Sequence, residues 1–549
     1  MILHSPATIE AYNNQGFWGE KTLLELFFEA AKAHPESLAL ADPLDREALV
    51  GSLPKRLTYR ELQDRVLGMA TALLRMGLQK DDVVVCQLPN VWELPMLFLA
   101  VAKAGGLLSP MPVQWRENEL KYVLGLTEAP LYIGPKRFKG VDFTAMAGGL
   151  YRGGLQVLDL EEIEPLSRTE PDPGLLSSTR VLADDIFSLC WTSGTEAEPK
   201  GCPLSHNNWI YQGNMLRRVG GLRDGDSQLV VAPMVNMTGV GVNFIPWLLS
   251  QGTLFMHHPI DVALLLRQLT EERISFTILV PAVLNMILKL PDADRLDLSS
   301  VRTIATGSAP PSKWTLEEFK RRWGIEIVNI WGQNEGTGLV AGPMDVPDLA
   351  LRTDHFPNWG NPACNFRSGV RGVSLKLLDE SLKPLDVSGA VGELVYKGPN
   401  VFPGYFKRPD LTKRAFTDDG YFLTGDLFTL WDACHVGFFD RKKDIIIRGG
   451  FNISAAEVEN LLLGHPDIKE AACVAEPHEI LGERVLAFIV PKDPKSPPSL
   501  KAVVNFLKGL GVASYKLPER LESIEAIPRN PVGKILKATL KQRLIERST

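Results

Sequence analysis

Ile186-Phe187-Ser188-Leu189-Cys190-Trp191, running into Thr192-Ser193-Gly194-Thr195-Glu196-Ala197-Glu198-Pro199-Lys200-Gly201, is the stretch on which the fold turns. Its first half is a short run of mostly apolar residues, the pattern of a strand buried on both faces. Its second half sets hydroxyls, a glycine turn and a lysine directly after that strand. Backbone N–H groups and Ser/Thr hydroxyls there can donate to an anion while the lysine adds a mobile positive charge. It is not a Walker loop, because Lys200 follows Pro199 and precedes Gly201 in place of Ser or Thr. Taken alone, the segment reads equally well as a surface turn.

Outward from this stretch the chain alternates strand and helix patterns. Thr58-x-x-Glu61 is a capping box, after which Leu62, Val66, Met69, Leu73 and Leu74 recur at helical spacing up to Gly77. Strands are expected at Val83–Cys86, Leu131–Ile133, Ile186–Trp191, Leu229–Ala232, Phe276–Val280, Val301–Ala305 and Ile325–Ile330. Apolar strands alternating with helices predict parallel sheets covered on both faces. After about residue 360 the texture changes. Val373–Leu378 and Glu393–Lys397 read as antiparallel strands without intervening helices. The charged run Asp440-Arg441-Lys442-Lys443-Asp444 then introduces a small α+β domain, whose first helix is capped at Ser454-x-x-Glu457 and ends at Gly464.

Composition narrows the class. With 549 residues, 45% hydrophobic and 23% charged, the chain excludes disorder, collagen-like repeats and coiled coil as overall descriptions, and its length suggests roughly three to four cores. A net charge of −6 gives no support for nucleic-acid binding. The cysteines Cys86, Cys190, Cys202, Cys364, Cys434 and Cys473 are scattered, without metal-ligand spacing. No disulfide framework or zinc site is expected, and a reducing compartment fits. The apolar stretch Leu94–Val113 is broken by Lys103, Gly105, Gly106, Pro95, Pro110 and Pro112, so it reads as a buried helix running into a strand. Neither end carries a targeting or lipidation signal. A soluble cytoplasmic protein is expected, and the assembly state, a homodimer included, is left open.

Five blocks in order carry a resemblance: Thr192–Gly201, Thr306-Gly307-Ser308-Ala309-Pro310, Trp331-Gly332-Gln333-Asn334-Glu335, Tyr421–Asp426 with Asp440–Gly450, and Pro528–Lys534. With them the chain resembles the adenylate-forming superfamily of acyl- and aryl-CoA synthetases, peptide-synthetase adenylation domains and firefly-type luciferases. The resemblance implies an α/β fold: a large N-terminal domain (1–442) of two helix-covered sheets with a β-barrel-like subdomain, and a small mobile C-terminal α+β lid (443–549). It implies ATP-dependent activation of a small carboxylic acid through an acyl-adenylate, with magnesium, followed by transfer to coenzyme A.

Residue by residue, the resemblance assigns catalysis to Lys534, Glu335, Thr192 and Lys200. The nucleotide falls to Thr192, Ser193, Gly194, Thr195, Lys200, Ser308, Ala309, Pro310, Trp331, Gly332, Gln333, Asn334, Asp426 and Arg441. Glu335 and Thr195 take the magnesium. The acid falls to Asn236, Met237, Gly239 and Gly307, while Lys443, Gly449 and Gly450 form the hinge and line the thiol's approach. Lys534 would bridge the substrate carboxylate and the α-phosphate where negative charge meets negative charge.

Departures from the family pattern sharpen this. Glu196-Ala197 stands where most members have Thr-Gly or Ser-Gly, and Asn334 stands in the Tyr-Gly-x-Thr-Glu block. Asn236 replaces a histidine, and Met237 differs from the asparagine by which catechol-acid ligases hold a ring hydroxyl. No local acidic residue suits an amino acid's ammonium group, and no carrier domain follows Lys534. An apolar acid is expected: medium-chain, alicyclic or simple aromatic, with the reaction reversible toward ATP. The alternatives are an aryl-acid adenylating enzyme that loads a carrier protein and a non-catalytic nucleotide- or acyl-binding relative.

Overall fold

The computed structural model describes residues 1–150, 154–192, 198–448, 451–478, 480–529 and 535–548. They fall into two compact units: Met1–Ser374 with Lys397–Phe422, and Leu375–Tyr396 with Leu423–Thr549. Two units are fewer than the cores that length suggests, because the two largest sheets share the first.

One of those sheets has six strands, in the order Gln156–Asp159, Leu131–Gly134, Val83–Cys86, Leu107–Pro110, Ile186–Thr192, Lys200–Ser205. Neighbours pair in parallel except the last two, an antiparallel hairpin that sets Thr192 opposite Lys200. The other has eight strands, in the order Gly338–Ala341, Glu326–Gly332, Thr303–Thr306, Phe276–Ile278, Ser227–Val230, Thr253–Met256, Leu38–Ala41, Arg56–Thr58. Its interior pairs are parallel and its two end pairs antiparallel. Val83–Cys86 is buried throughout, as a parallel interior strand with helices on both faces must be.

The capping box forms as the sequence predicts. The Glu61 backbone N–H donates to Thr58 Oγ1 at 3.2 Å, and the Thr58 N–H donates back to Glu61 Oε2 at 2.8 Å. The helix Tyr59–Arg75 that follows buries Leu62, Val66, Met69 and Leu73. Expected strand limits move by a few residues: Leu229–Ala232 becomes Ser227–Val230, and Phe276–Val280 ends at Ile278. The stretch from Leu94 divides into the helix Glu93–Lys103 and the strand Leu107–Pro110, both buried. Among the described residues no helix is long and apolar enough to cross a membrane.

In the second unit, the strand Phe422–Leu430, from Leu423 onward, and His435–Arg441 pair antiparallel. A further sheet orders Phe451–Ile453, Ile446–Arg448, Gly482–Pro491 and Ile468–His478, with Arg520–Ser523 paired in parallel to Gly482–Pro491. One face of this sheet packs on the helices Ala455–Leu463 and Leu500–Gly509 through Val458, Leu462, Val503 and Leu507. The other face takes Ile527 and Leu540, the latter from the helix Lys537–Ser548.

Candidate active site

In the first unit, two of the three chemistry-bearing blocks lie on the antiparallel strand pairs at sheet edges. Thr192 and Lys200 are the facing ends of the hairpin that closes the six-stranded sheet. Ser193, Gly194, Thr195, Glu196 and Ala197 lie outside the described residues, as do Gly449, Gly450 and Lys534. Thr192 Oγ1 is buried and has no hydrogen-bond partner among the described residues. A buried donor without a partner is uncommon, and an anionic ligand would satisfy it. Glu198 on the same turn pairs with Arg408 at 3.4 Å, so a cation already answers that carboxylate.

The second hairpin, Glu326–Gly332 with Gly338–Ala341, sets Trp331 opposite Leu339 and Gly332 opposite Gly338. Gln333, Asn334 and Glu335 form its turn, held by the Gln333 N–H to Thr337 O at 3.2 Å and the Gly336 N–H to Gln333 O at 3.2 Å. Gly336 has φ +88°, and a Cβ there would sit 1.9 Å from Asn400 O, so only glycine fits. Glu335 is buried, 7% exposed. Its Oε1 accepts the Tyr405 hydroxyl at 2.9 Å, and its backbone O accepts the Phe402 N–H at 2.9 Å.

Burial, and then the charge of Glu335, push the Tyr405 hydroxyl far above the ordinary phenol range, so it stays a donor. The Lys200 ammonium lies 5.0 Å from the centre of the Tyr405 ring. Tyr405 thereby links the cation of one hairpin to the carboxylate of the other. The sequence does not single out Tyr405, and nothing in the spacing of Pro403-Gly404-Tyr405 marks it.

Asn334 ties the hairpins a second time. Its Nδ2 donates to Trp191 O at 2.8 Å, and its Oδ1 accepts the Met237 backbone N–H at 2.8 Å. The expectation of a nucleotide contact is thus joined by a structural role: the amide bridges the strand end before Thr192 and the segment expected to meet the acid. Asn334→Ala leaves both backbone groups unpaired, at about 1–3 kcal/mol. It should therefore lower ATP–pyrophosphate exchange about 10-fold or more and lower the thermal midpoint. Unchanged exchange in that variant would rule out the bridge as a functional element.

Asn236 caps the short helix Met237–Gly239, its Oδ1 accepting the Thr238 and Gly239 N–H groups at 3.0 and 3.3 Å. That cap is a local backbone role for the residue expected to meet the acid. Met237 is buried, and a Cβ built on Gly241 would meet its sulfur at 2.7 Å. Gly239 packs so closely that a Cβ would stand 2.2 Å from Pro233 O. Gly307 follows the strand Thr303–Thr306, and a Cβ on it would clash with Ile330 O at 2.6 Å. After it Ser308, at φ +70°, and Ala309 are exposed, and Pro310 is half-buried.

In the second unit, Asp426 and Arg441 are cross-strand partners, with Arg441 Nε 3.9 Å from Asp426 Oδ1. Asp426 is 5% exposed, and its N–H donates to Thr424 Oγ1 at 3.2 Å. Glu393 accepts the Gly425 N–H at 3.0 Å and the Lys442 ammonium at 2.9 Å, steadying the turn before Asp426. Lys443 lies in the short 3₁₀ turn Lys442–Asp444.

No cluster of three or more His, Cys, Asp or Glu suited to a metal occurs among the described residues. The buried Glu335 carboxylate fits magnesium nonetheless, since that ion is usually held by one or two carboxylates, with phosphate oxygens and water completing its shell.

A family model described as AMP-binding enzyme matches residues 27–406, and one described as AMP-binding enzyme C-terminal domain matches residues 457–534. The chain belongs to the AMP-binding enzyme family. It is 32% identical to a medium-chain fatty-acid–CoA ligase of Escherichia coli K12, over 98% of this chain and 93% of that protein. It is 31% identical to a feruloyl-CoA synthase of Amycolatopsis sp, over 89% of this chain and 94% of that protein. The crystal structure of ATP-bound MatB from Rhodopseudomonas palustris superposes with a TM-score of 0.79 at 26% identity, covering 96% of this chain and 99% of that one. The family membership bears out the adenylate-forming resemblance and the α/β architecture. The chain is an adenylate-forming enzyme of the AMP-forming acid–thiol ligase type, and ATP or AMP is its nucleotide.

Proposed function

We propose that this enzyme activates an apolar carboxylic acid, medium-chain, alicyclic or aromatic, with ATP and magnesium and passes the acyl group to coenzyme A. The observation that carries the reading is the linked set Lys200, Tyr405 and Glu335, with the Thr192 hydroxyl opposite Lys200 buried and without a partner among the described residues. The Lys200 cation and the Thr192 hydroxyl suit phosphate oxygens, and the buried carboxylate, oriented by Tyr405, suits the magnesium that accompanies them. The fatty-acid and feruloyl ligases among its relatives, with the apolar Met234, Val235 and Met237 near Asn236, support an apolar acid.

In this reading a carboxylate oxygen attacks the α-phosphorus and pyrophosphate leaves; the thiol sulfur then attacks the acyl carbon and AMP leaves. Thr192 and Lys200, with Ser193, Gly194 and Thr195, hold phosphate oxygens. Trp331 faces the adenine against Ser308, Ala309 and Pro310, and Asp426 and Arg441 hold the ribose. Magnesium, held through Glu335 with Thr195, would offset phosphate charge when bound. Lys534 serves adenylation. The lid from Lys443 onward pivots at that residue, and Gly449 and Gly450 then line the thiol's path. The cytoplasm, where ATP and coenzyme A are both present, is the proposed location.

A panel of carboxylic acids in acid-dependent exchange of labelled pyrophosphate into ATP tests the first half-reaction, and AMP release with and without coenzyme A tests the second. Exchange with apolar acids, together with AMP release that saturates in coenzyme A, is the expected result. Exchange without coenzyme A-dependent release would replace coenzyme A with a carrier-protein acceptor. No exchange with any acid would overturn adenylation as its activity.

A further inference from the structure

Lys537 opens the helix Lys537–Ser548, where a cation meets the positive end of the helix dipole. It is also withdrawn from water: its side chain is 12% exposed, and its ammonium lies 2.8 Å from Glu459 Oε1, itself 13% exposed. Burial works against that charge, yet Glu459, Asp440 and Asp444 outweigh it and hold the amine above the ordinary lysine range. A residue placed against both the dipole and desolvation is not a surface lysine of a polar helix.

Its partners show what it fastens. Glu459 Oε1, on the helix Ala455–Leu463, also accepts the Cys473 N–H at 2.7 Å, which joins that helix to the strand Ile468–His478. Asp440 Oδ2 accepts the Ser454 hydroxyl at 2.8 Å and the Ala456 N–H at 3.0 Å, at the start of the same helix. Just before Lys537, Arg529 and Ile535 form an antiparallel bridge, and the Leu536 N–H donates to Pro528 O at 2.8 Å. Arg529 also pairs with Glu470 at 2.9 Å. The two ends of the segment 530–534, which carries Lys534, are therefore held side by side and pinned by ion pairs, one exposed and one buried.

We propose that Lys537 is a positioning residue for adenylation, its buried pair with Glu459 fixing the neck of the segment that presents Lys534. This rests on the adenylation role proposed for Lys534. The neck is thereby tied to the helix Ala455–Leu463, the first helix of the small domain. A lysine that must reach a reacting centre is sensitive to such support, because a displacement near 1 Å can cost about 10²-fold in rate.

The test uses the full-length enzyme with Lys537→Met, Lys537→Arg, Glu459→Gln and Lys534→Ala. Each is assayed for pyrophosphate exchange and for thioester formation from supplied acyl-adenylate and coenzyme A, with the thermal midpoint recorded. Lys537→Met should lower the kcat of exchange by about 10²-fold with KM for ATP and acid little changed and thioester formation preserved. Lys537→Arg should restore most of the exchange, and Glu459→Gln should reproduce the selective loss in part. If Lys537→Met does not fold, the selective loss in Glu459→Gln decides. Full exchange in a folded Lys537→Met or Glu459→Gln, or equal loss of both half-reactions, overturns the clamp. With Lys534→Ala defective in exchange, that outcome leaves the Lys534 reading standing. Full exchange in Lys534→Ala refutes the Lys534 reading itself and removes the basis of the clamp.

Discussion

Lys534→Ala is expected to lower acid-dependent pyrophosphate exchange by about 10²–10³-fold while leaving thioester formation from supplied acyl-adenylate near the wild-type rate. In adenylation a carboxylate approaches a phosphate that already bears negative charge, and as the new O–P bond forms the charge of both groups gathers around one pentavalent phosphorus. A positioned ammonium stabilises that state more than the separated reactants, so its removal acts on kcat more than on KM. In thioester formation the acyl carbon is already activated and AMP departs as a stable anion, so the same ammonium has little left to neutralise. Purified variant assayed in both half-reactions gives the ratio directly. Equal losses in the two would assign Lys534 to general folding or nucleotide affinity instead.

Features that rest on neighbouring residues are legible in the sequence. An apolar run followed by hydroxyls and glycine marks the strand and turn around Thr192 and Lys200, and these two residues stand opposite each other in the hairpin. The capping box at Thr58 depends on residues three apart, and it forms. The connections that build the site are not legible, because they join residues remote in sequence. Tyr405 reaches Glu335 across 70 positions, and Asn334 reaches Trp191 across 143. Neither tyrosine nor asparagine carries a local pattern that names so distant a partner. In the sequence Asn236 stands out only as a missing histidine, whereas its carboxamide caps the helix that follows it. The grouping of Leu375–Tyr396 with the C-terminal part likewise depends on tertiary contacts that composition along the chain does not encode.

Glu335→Gln separates charge from hydrogen bonding at the buried turn. Glutamine keeps the length of the side chain and an oxygen to accept the Tyr405 hydroxyl, which lies at 2.9 Å from the native carboxylate, so the hairpin should hold its shape. What it loses is the negative charge through which a magnesium ion would be bound. Exchange should fall by about 10²-fold, the magnesium dependence should move to higher concentration, and calorimetry should show weaker binding of ATP in magnesium than in wild type. Tyr405→Phe supplies the converse. It keeps the carboxylate and the ring beneath the Lys200 ammonium but removes one donor to a buried acceptor, a loss of about 1–3 kcal/mol. Its exchange should fall by about 10-fold with the magnesium dependence nearly unmoved. The discriminating quantity is the magnesium midpoint, because a merely structural Glu335 would let both variants lose activity without shifting it. A shift confined to Glu335→Gln places the ion's contact on that carboxylate and leaves Tyr405 the task of orienting it.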